Sequence, residues 1–378
     1  MSGFQMRRLW PIMTPEPGDP QEAEGVLNPA AVRGPDGELY LFPRLVARGN
    51  YSRIGLARVL FNGDGDPCGV ERLGVALEPE AEYEKRPDGG GGCEDPRITF
   101  VEPLGKYVMT YTAFSAAGPR IALAVSNDLH QWERLGLARF GPYQGIELDG
   151  VDDKDATLFP VFIPNPSGGP ELAMLHRPLF AGARRDGSVA PEPPDGNADL
   201  DRESIWISYT RLTRESDGSH RLGRFTSHHR LAAPLTSWER LKIGVGTPPV
   251  LTRLGWLVIY HGVSEVEAPA PAGDGRSRCY SAGVMVLSNA HPRVIRYRSS
   301  DPLLAPELPE ERLGTVGNVV FPTGIDRRDD LGSPDRFDVY YGMADDRIGV
   351  ARLDLPEVLP EVHRPHPAPA LGQVTPGS

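Results

Sequence analysis

Residues 89 to 101 read Gly89-Gly90-Gly91-Gly92-Cys93-Glu94-Asp95-Pro96-Arg97-Ile98-Thr99-Phe100-Val101. Pro96 fixes its own φ and disfavours the helical region for Asp95, so the acid sits in extended or turn backbone. The run from Ile98 to Val101 has the residue types of a strand, and glycines before it let the backbone pass close to a neighbour. Read alone, the charges fit a solvated turn with a local Asp–Arg pair as well as an acid aimed into a pocket. The rest of the chain decides between them.

Outward from this stretch the same order recurs: a polar or small opening, an extended run, a turn, a second apolar run, a loop, a third run. The unit with Glu94-Asp95-Pro96-Arg97 continues through Tyr107–Tyr111 and Ile121–Val125 and ends near Trp132. Before it, Asn28-Pro29-Ala30-Ala31 leads to Leu39–Phe42 and Arg53–Ala57. After it, Lys154-Asp155-Ala156-Thr157 leads to Leu172–Arg177 and Ile205–Tyr209, and Gly246-Thr247-Pro248-Pro249 to Trp256–His261 and Ser281–Met285. Asn318-Val319-Val320, Phe337–Tyr341 and Ile348–Arg352 complete a fifth unit. Ala183–Arg202 and Glu265–Arg278 read as surface insertions.

Composition agrees with many short strands. The 378 residues hold 43 Gly and 39 Pro, which punctuate apolar runs rather than gathering in one tract. Five such units predict an all-β fold, a five-bladed β-propeller, with a sandwich as the alternative. The divisions are an N-terminal extension over 1–24, a single propeller domain over 25–358 and a Pro-rich C-terminal tail over 359–378. In a propeller the opening of each unit lines the central channel, so Asn28, Asp95, Lys154, Thr247 and Asn318 are expected near one axis. Side chains alternate along a strand, which predicts that Glu94 and Asp95 face opposite ways.

The formal net charge of -11 argues against nucleic acid or an anionic membrane as partner. The three cysteines, Cys68, Cys93 and Cys279, match no zinc or redox spacing, so no metal is expected and a reducing compartment fits. Leu9–Met13 breaks too soon for a signal peptide and no apolar run reaches membrane-span length. The expectation is a cytoplasmic protein. A homo-oligomer is compatible with the chain, though no stretch marks an interface.

The openings and nearby strand ends collect the acids Glu94, Asp95 and Asp155 with the bases Arg97, Lys154, Arg177 and His261. An acid beside a cation cluster suits protonation of a leaving group and retention of an anion. Each has a plain alternative: Lys154-Asp155 as a surface pair, His261 as a satisfied histidine, Arg177 as the close of a strand, Tyr260 as core. Glycoside cleavage normally uses two carboxylates, and Asn28 stands where the first unit could supply one. A phosphate held by Lys154, Arg177 and His261 would itself be the nucleophile.

Glu94-Asp95-Pro96-Arg97 with Met109–Ala113, Lys154–Pro160 and Leu175–Pro178 resemble glycoside hydrolase family 130, the β-mannoside phosphorylases and related β-mannosidases. So do Gly255–Gly262, Tyr280–Gly283, Asn318–Pro322 and Tyr340–Asp345, and the likeness spans about residues 25 to 355. It implies a five-bladed propeller and inverting phosphorolysis of β-mannosides or manno-oligosaccharides to α-mannose 1-phosphate, with inorganic phosphate as co-substrate and no cofactor. By the same resemblance Asp95 is the proton donor, acting through a sugar hydroxyl. Lys154, Arg177 and His261 hold phosphate, and Asn28, Arg44, Arg53, Glu94 and Asp345 contact the sugar. Asp155 and Tyr260 are set beside these as substrate contacts. One departure is the acidic Asp152-Asp153 before Lys154, expected to weaken phosphate attraction unless the two acids point away. The alternatives are an inverting β-mannosidase, whose water-activating carboxylate would be sought at Asp152, Asp153 or Glu311, and a non-catalytic sugar-binding propeller.

Overall fold

The computed structural model describes residues 3–143, 146–180, 202–214, 220–267 and 276–361. Most of both expected insertions, 183–202 and 265–278, and nearly all of the tail 359–378 lie outside the described residues. The fold is all-β, as expected; antiparallel units of strands follow one another along the chain, and the first two are joined in one eight-stranded sheet by a short parallel pairing of Tyr51 and Ser52 with Gly91 and Gly92. Unit one is Gly25–Arg33, Leu39–Ala47, Tyr51–Phe61 and Pro67–Leu77; unit two is Gly91–Val101, Lys106–Ser115, Gly118–Ser126 and Glu133–Leu137. Unit three is Asp152–Leu158, Pro170–Leu179, Ile205–Thr210 and Thr226–Ala232. Unit four is Lys242–Val245, Gly255–Glu267, Arg276–Leu287 and Ile295–Arg298. Unit five has three strands of its own, Val320–Arg327, Arg336–Met343 and Arg347–Asp354.

Its fourth strand comes from the other end of the chain. Gln5–Met13 pairs antiparallel with the last strand, from Gln5 opposite Asp354 to Met13 opposite Ile348. The stretch expected as an extension therefore supplies an edge strand to the fifth unit.

The core is divided among the junctions between units. Phe42 and Ile54 of unit one meet Met109 and Tyr111 of unit two. Val108 and Ile121 meet Leu158 and Trp206 across the next junction, and Leu175 and Ile207 meet Val258 and Met285 across the third. Ile259 and Val284 then meet Phe337 and Val339, and Tyr340 and Val350 return to Leu39 and Leu41 of unit one. Middle strands buried on both faces explain why runs such as Trp256–Tyr260 are apolar without alternation. Among the described residues no helix is long and apolar enough to cross a membrane.

The first strands of units one, two and three share one irregularity. Their pairing with the second strand breaks between Leu27 and Ala30, Glu94 and Arg97, and Lys154 and Thr157. Inside each break one non-glycine residue takes a left-handed φ: Asn28 at 46°, Asp95 at 48° and Asp155 at 55°. Asn and Asp tolerate that region better than other side chains, and bulges of this kind re-aim a side chain. The third unit's equivalent of Asn28 and Asp95 is thus Asp155, one residue beyond the expected Lys154.

Glu311 ties the two chain ends together. It accepts Arg8 Nε (2.8 Å), the Tyr341 hydroxyl (3.0 Å) and the backbone N–H groups of Glu307 (2.8 Å) and Leu308 (3.0 Å). Glu311→Ala removes one acceptor from the half-buried Arg8 guanidinium and leaves the Tyr341 hydroxyl and two backbone N–H groups short of theirs. It is expected to lower unfolding free energy by about 3 kcal/mol in urea denaturation; a change under about 0.5 kcal/mol would show that this tie is idle.

Candidate functional site

The bulged strands bring their charged side chains into two linked clusters. In the first, Asp95 Oδ1 accepts Asn28 Nδ2 at 2.8 Å and Arg44 Nη1 at 3.3 Å. Arg44 Nη2 also donates to Glu94 Oε1 at 2.9 Å, and Lys154 Nζ lies 3.5 Å from Glu94 Oε2. Glu94 and Asp95 therefore share one guanidinium, against the alternation expected of a regular strand. The left-handed turn at Asp95 cancels that alternation. Arg44 is itself braced by Ser52 Oγ at 2.8 Å and Asn50 Oδ1 at 2.9 Å.

The second cluster surrounds Asp155. Its Oδ2 accepts Arg177 Nε at 2.6 Å and lies 3.6 Å from His261 Nε2, while its Oδ1 lies 3.6 Å from Arg97 Nη2. Glu203 contacts Arg177 Nη1 and lies 3.8 Å from Lys242 Nζ. The Lys242 ammonium sits 5.6 Å from the centre of the Tyr280 ring, and the His261 and Phe321 ring centres lie 4.4 Å apart with a tilt of 35°. Gly244 makes this approach feasible, since a Cβ there would collide with Asp155 and the His261 ring.

Arg97 joins the two clusters. Its side chain is fully buried and donates to the carbonyls of Asp95 (2.8 Å), Gly246 (2.9 Å) and Val245 (3.2 Å).

Electrostatics separates the acids. Burial alone would raise Asp95, but Arg44, Lys154 and Arg97, with the Asn28 hydrogen bond, hold it below the usual carboxylate range. Burial likewise opposes Asp155, which Arg177, His261 and Arg97 hold low. Asp345 goes the other way. Desolvation, with Asp95 and Glu94 nearby and only partial relief from Arg44, pushes it up to about 6. Burial lowers Lys242 to about 7 and His261 to about 3, so the imidazole is neutral near pH 7. Both His261 ring nitrogens are buried without a hydrogen-bond partner. An unpaired buried donor and acceptor is expensive, and a polar ligand at this position would relieve it.

Of the residues expected from sequence, Asn28, Arg44, Glu94, Asp95, Lys154, Asp155, Arg177 and His261 are joined by these contacts, and Asp345 lies within electrostatic reach. Two are engaged elsewhere. Arg53 donates to Glu78 at 2.7 Å and packs over Tyr51. The Tyr260 hydroxyl donates to Glu239 at 2.8 Å and accepts Arg298 Nε at 3.2 Å, inside the core of unit four. The acids expected to oppose an anion face away from the Lys154 ammonium: Asp152 pairs with Arg120, and Asp153 with His176 at 2.6 Å. Sequence reading missed Lys242, Glu203 and Phe321. Lys242 stands on the first strand of unit four, ahead of the opening at Gly246, which was a usable signal. Glu203 reaches the site only through long-range pairing, Ile243 N–H to its carbonyl at 3.0 Å, which no local pattern reveals. Among the described residues no group of His, Cys, Asp and Glu side chains could hold a metal ion.

A family described as beta-1,4-mannooligosaccharide phosphorylase matches residues 5–178 and 216–364. A 1,2-beta-oligomannan phosphorylase of Thermoanaerobacter sp. (strain X514) is 30% identical over 92% of this chain and 96% of its own length. A beta-1,2-mannobiose phosphorylase of the same strain is 30% identical over 72% of this chain and 70% of its own. The solved structure of beta-1,2-mannobiose phosphorylase from Listeria innocua, in complex with beta-1,2-mannobiose, superposes with a TM-score of 0.64 at 22% identity. That likeness covers 92% of this chain and 96% of the other.

Asp345 gives a pH test. Its folded pKa is raised to about 6, so the folded protein holds that proton more tightly than the unfolded chain does. The ionised group is a burden above pH 6 that fades as pH falls through 6 towards the ordinary carboxylate range. Asp345→Asn is expected to raise stability by about 1 to 2 kcal/mol at pH 8, with the gain shrinking by pH 5. Denaturant melts at both values check it, and a gain independent of pH would contradict it.

Proposed function

The chain belongs to glycoside hydrolase family 130, the β-mannoside phosphorylases and related β-mannosidases, and from that premise we propose an inverting β-mannoside phosphorylase. It cleaves a β-mannosidic bond with inorganic phosphate and releases α-mannose 1-phosphate. β-1,2-linked substrates come first, because the relative that spans nearly all of the chain acts on 1,2-beta-oligomannan by name. We read the five units as the blades of a five-bladed propeller, one catalytic domain over about 25–358 closed by the strand Gln5–Met13. The cyclic order of packing supports this reading.

The observation that carries the proposal is the pairing of an anchored acid with a cation-rich seat. Asp95 is the proton donor, fixed by Asn28 and Arg44, and it reaches the leaving oxygen through a sugar hydroxyl. Lys154, Arg177 and His261, joined by Lys242, receive phosphate, and the unpartnered His261 nitrogens supply polar contacts to it. Arg gives a forked contact and Lys a point charge. Asn28, Arg44, Glu94 and Asp345 face the sugar, with Asp155 orienting Arg177. Without phosphate, nearby cations hold Asp95 ionised. Phosphate bound on Lys154 offsets that residue's part of the field and favours a proton on Asp95, so nucleophile binding and acid loading are coupled. Since phosphate attacks by itself, no protein base is needed. That agrees with the acids considered for such a base, because Asp152, Asp153 and Glu311 are each held by a cationic or histidine partner.

One observation favours hydrolysis as a second reading: Glu203 is a carboxylate within the cation seat. Paired to Arg177 and beside Lys242, it is a poor base, so phosphorolysis leads.

Purified enzyme with β-1,2-mannobiose is expected to turn over only when phosphate is added, and Lys154→Ala should raise the phosphate KM at least tenfold. Asp95→Asn should lower kcat by about 10² to 10⁴. Equal sugar release without phosphate contradicts the phosphorylase, and near-normal Asp95→Asn turnover contradicts the donor assignment.

A further inference from the structure

Beneath the cation seat a chain of four buried polar side chains runs outward from Asp153. Asp153 Oδ2 lies 2.6 Å from His176 Nδ1, and His176 Nε2 lies 2.7 Å from Ser208 Oγ. Ser208 Oγ lies 2.7 Å from His228 Nδ1, and His228 Nε2 lies 3.0 Å from the carbonyl of Gly141. The first three form the arrangement of a hydrolytic triad, but Ser208 is fully buried and already engaged on both sides. No substrate reaches it.

The chain has a proton count. It contains four links, and each requires one proton between its two heavy atoms. Both ends are acceptors: a backbone carbonyl cannot donate, nor can an ionised carboxylate. Two neutral imidazoles and one hydroxyl bring three protons, so a fully linked chain holds one more. Its place follows from the far end. Burial and the neighbouring His176 lower His228 to about 4, so His228 is neutral and uses its one proton on the Gly141 carbonyl. Its Nδ1 then accepts from Ser208, Ser208 accepts from His176 Nε2, and the extra proton falls on the link between His176 Nδ1 and Asp153. Phe140 stacks on that imidazole at 4.9 Å and 23°, closing it off from water.

We infer that this chain traps one proton as a His176 imidazolium against Asp153 and makes Asp153 a positioning residue for Arg177. Asp153 Oδ1 accepts the Arg177 backbone N–H at 3.1 Å, beside the Lys154–Arg177 pair of the register. Lys154 and Arg177 flank Asp153 on the paired strands, so an uncompensated carboxylate there would oppose an incoming anion. The trapped proton cancels its charge while preserving its hold on the backbone. The consequence for phosphate rests on the proposed function; the proton count does not.

Two variants separate charge from geometry. In Asp153→Asn the amide donates to His176 Nδ1 and its oxygen accepts the Arg177 N–H, so all four links close without the extra proton. Asp153→Ala loses both contacts. Two-bond ¹H–¹⁵N NMR of the histidine rings in neutral buffer is expected to show protons on both His176 nitrogens in the parent. Only Nε2 should be protonated in Asp153→Asn. In phosphate titrations at saturating mannoside, Asp153→Ala should raise the phosphate KM about tenfold with kcat changed less than threefold, and Asp153→Asn should stay within threefold of the parent. A singly protonated His176 in the parent overturns the trapped proton whatever the kinetics. Equal damage from both variants overturns the positioning role. Normal NMR with no dependence on phosphate at all strikes at the proposed reaction instead.

Discussion

A fully buried guanidinium at the meeting of three sheets underlies the arrangement of both clusters. Arg97 lies on the first strand of unit two, takes two carbonyls from unit four and faces the Asp155 carboxylate of unit three. Burial of a charge is tolerated only where its hydrogen bonds are completed, and removing one partner from such a site typically costs about 3 to 5 kcal/mol. The same contacts set the distance between the acid cluster and the cation seat, since Arg97 also donates to the carbonyl of Asp95. Fold and site are thereby coupled. A shift between the units would unpair Arg97.

A second constraint is local. Asn28, Asp95 and Asp155 each occupy a left-handed conformation inside a break in strand pairing. Such backbone costs about 1 to 3 kcal/mol per residue and persists where surrounding structure fixes it. Here Pro29 and Pro96 follow two of the three positions, and tight glycine contacts surround them. A Cβ at Gly342 would collide with the Asn28 amide oxygen, as one at Gly244 would with Asp155. These bulges let neighbouring residues share a partner, so Glu94 and Asp95 both meet Arg44.

The repeat was legible because each unit alternates turn chemistry with apolar runs, and that periodicity survives in one sequence. The opening motifs were legible for the same reason, and most of their polar residues do gather. The offset from Lys154 to Asp155 was not, because a bulge leaves no mark in composition beyond an Asx residue. Alternation misled at Glu94 and Asp95 for that reason too. Tyr260 stands on the expected strand with its hydroxyl on buried Glu239, whereas Arg53 gives Nε to Glu78 and keeps Nη1 buried without a hydrogen-bond partner. Glu203 follows an insertion and meets Lys242 only through the packing of distant strands. The edge strand Gln5–Met13 was hidden because its partner lies at the far end of the chain, and local sequence carries no record of that pairing.

Electrostatically the site is a set of cations whose field depends on what they hold. Arg44, Lys154 and Arg97 hold Asp95 below the usual carboxylate range, and Glu203 lies against Arg177 and Lys242; in the proposed reaction phosphate offsets that field and favours the protonated acid. Direct displacement by bound phosphate on the face opposite the leaving group demands inversion at the anomeric carbon. The most direct test is the configuration of the first sugar phosphate formed from β-1,2-mannobiose and phosphate, followed by ¹H and ³¹P NMR before the back reaction sets in. α-Mannose 1-phosphate is the expected initial product. Initial β-mannose 1-phosphate, or free mannose with no sugar phosphate, would contradict it.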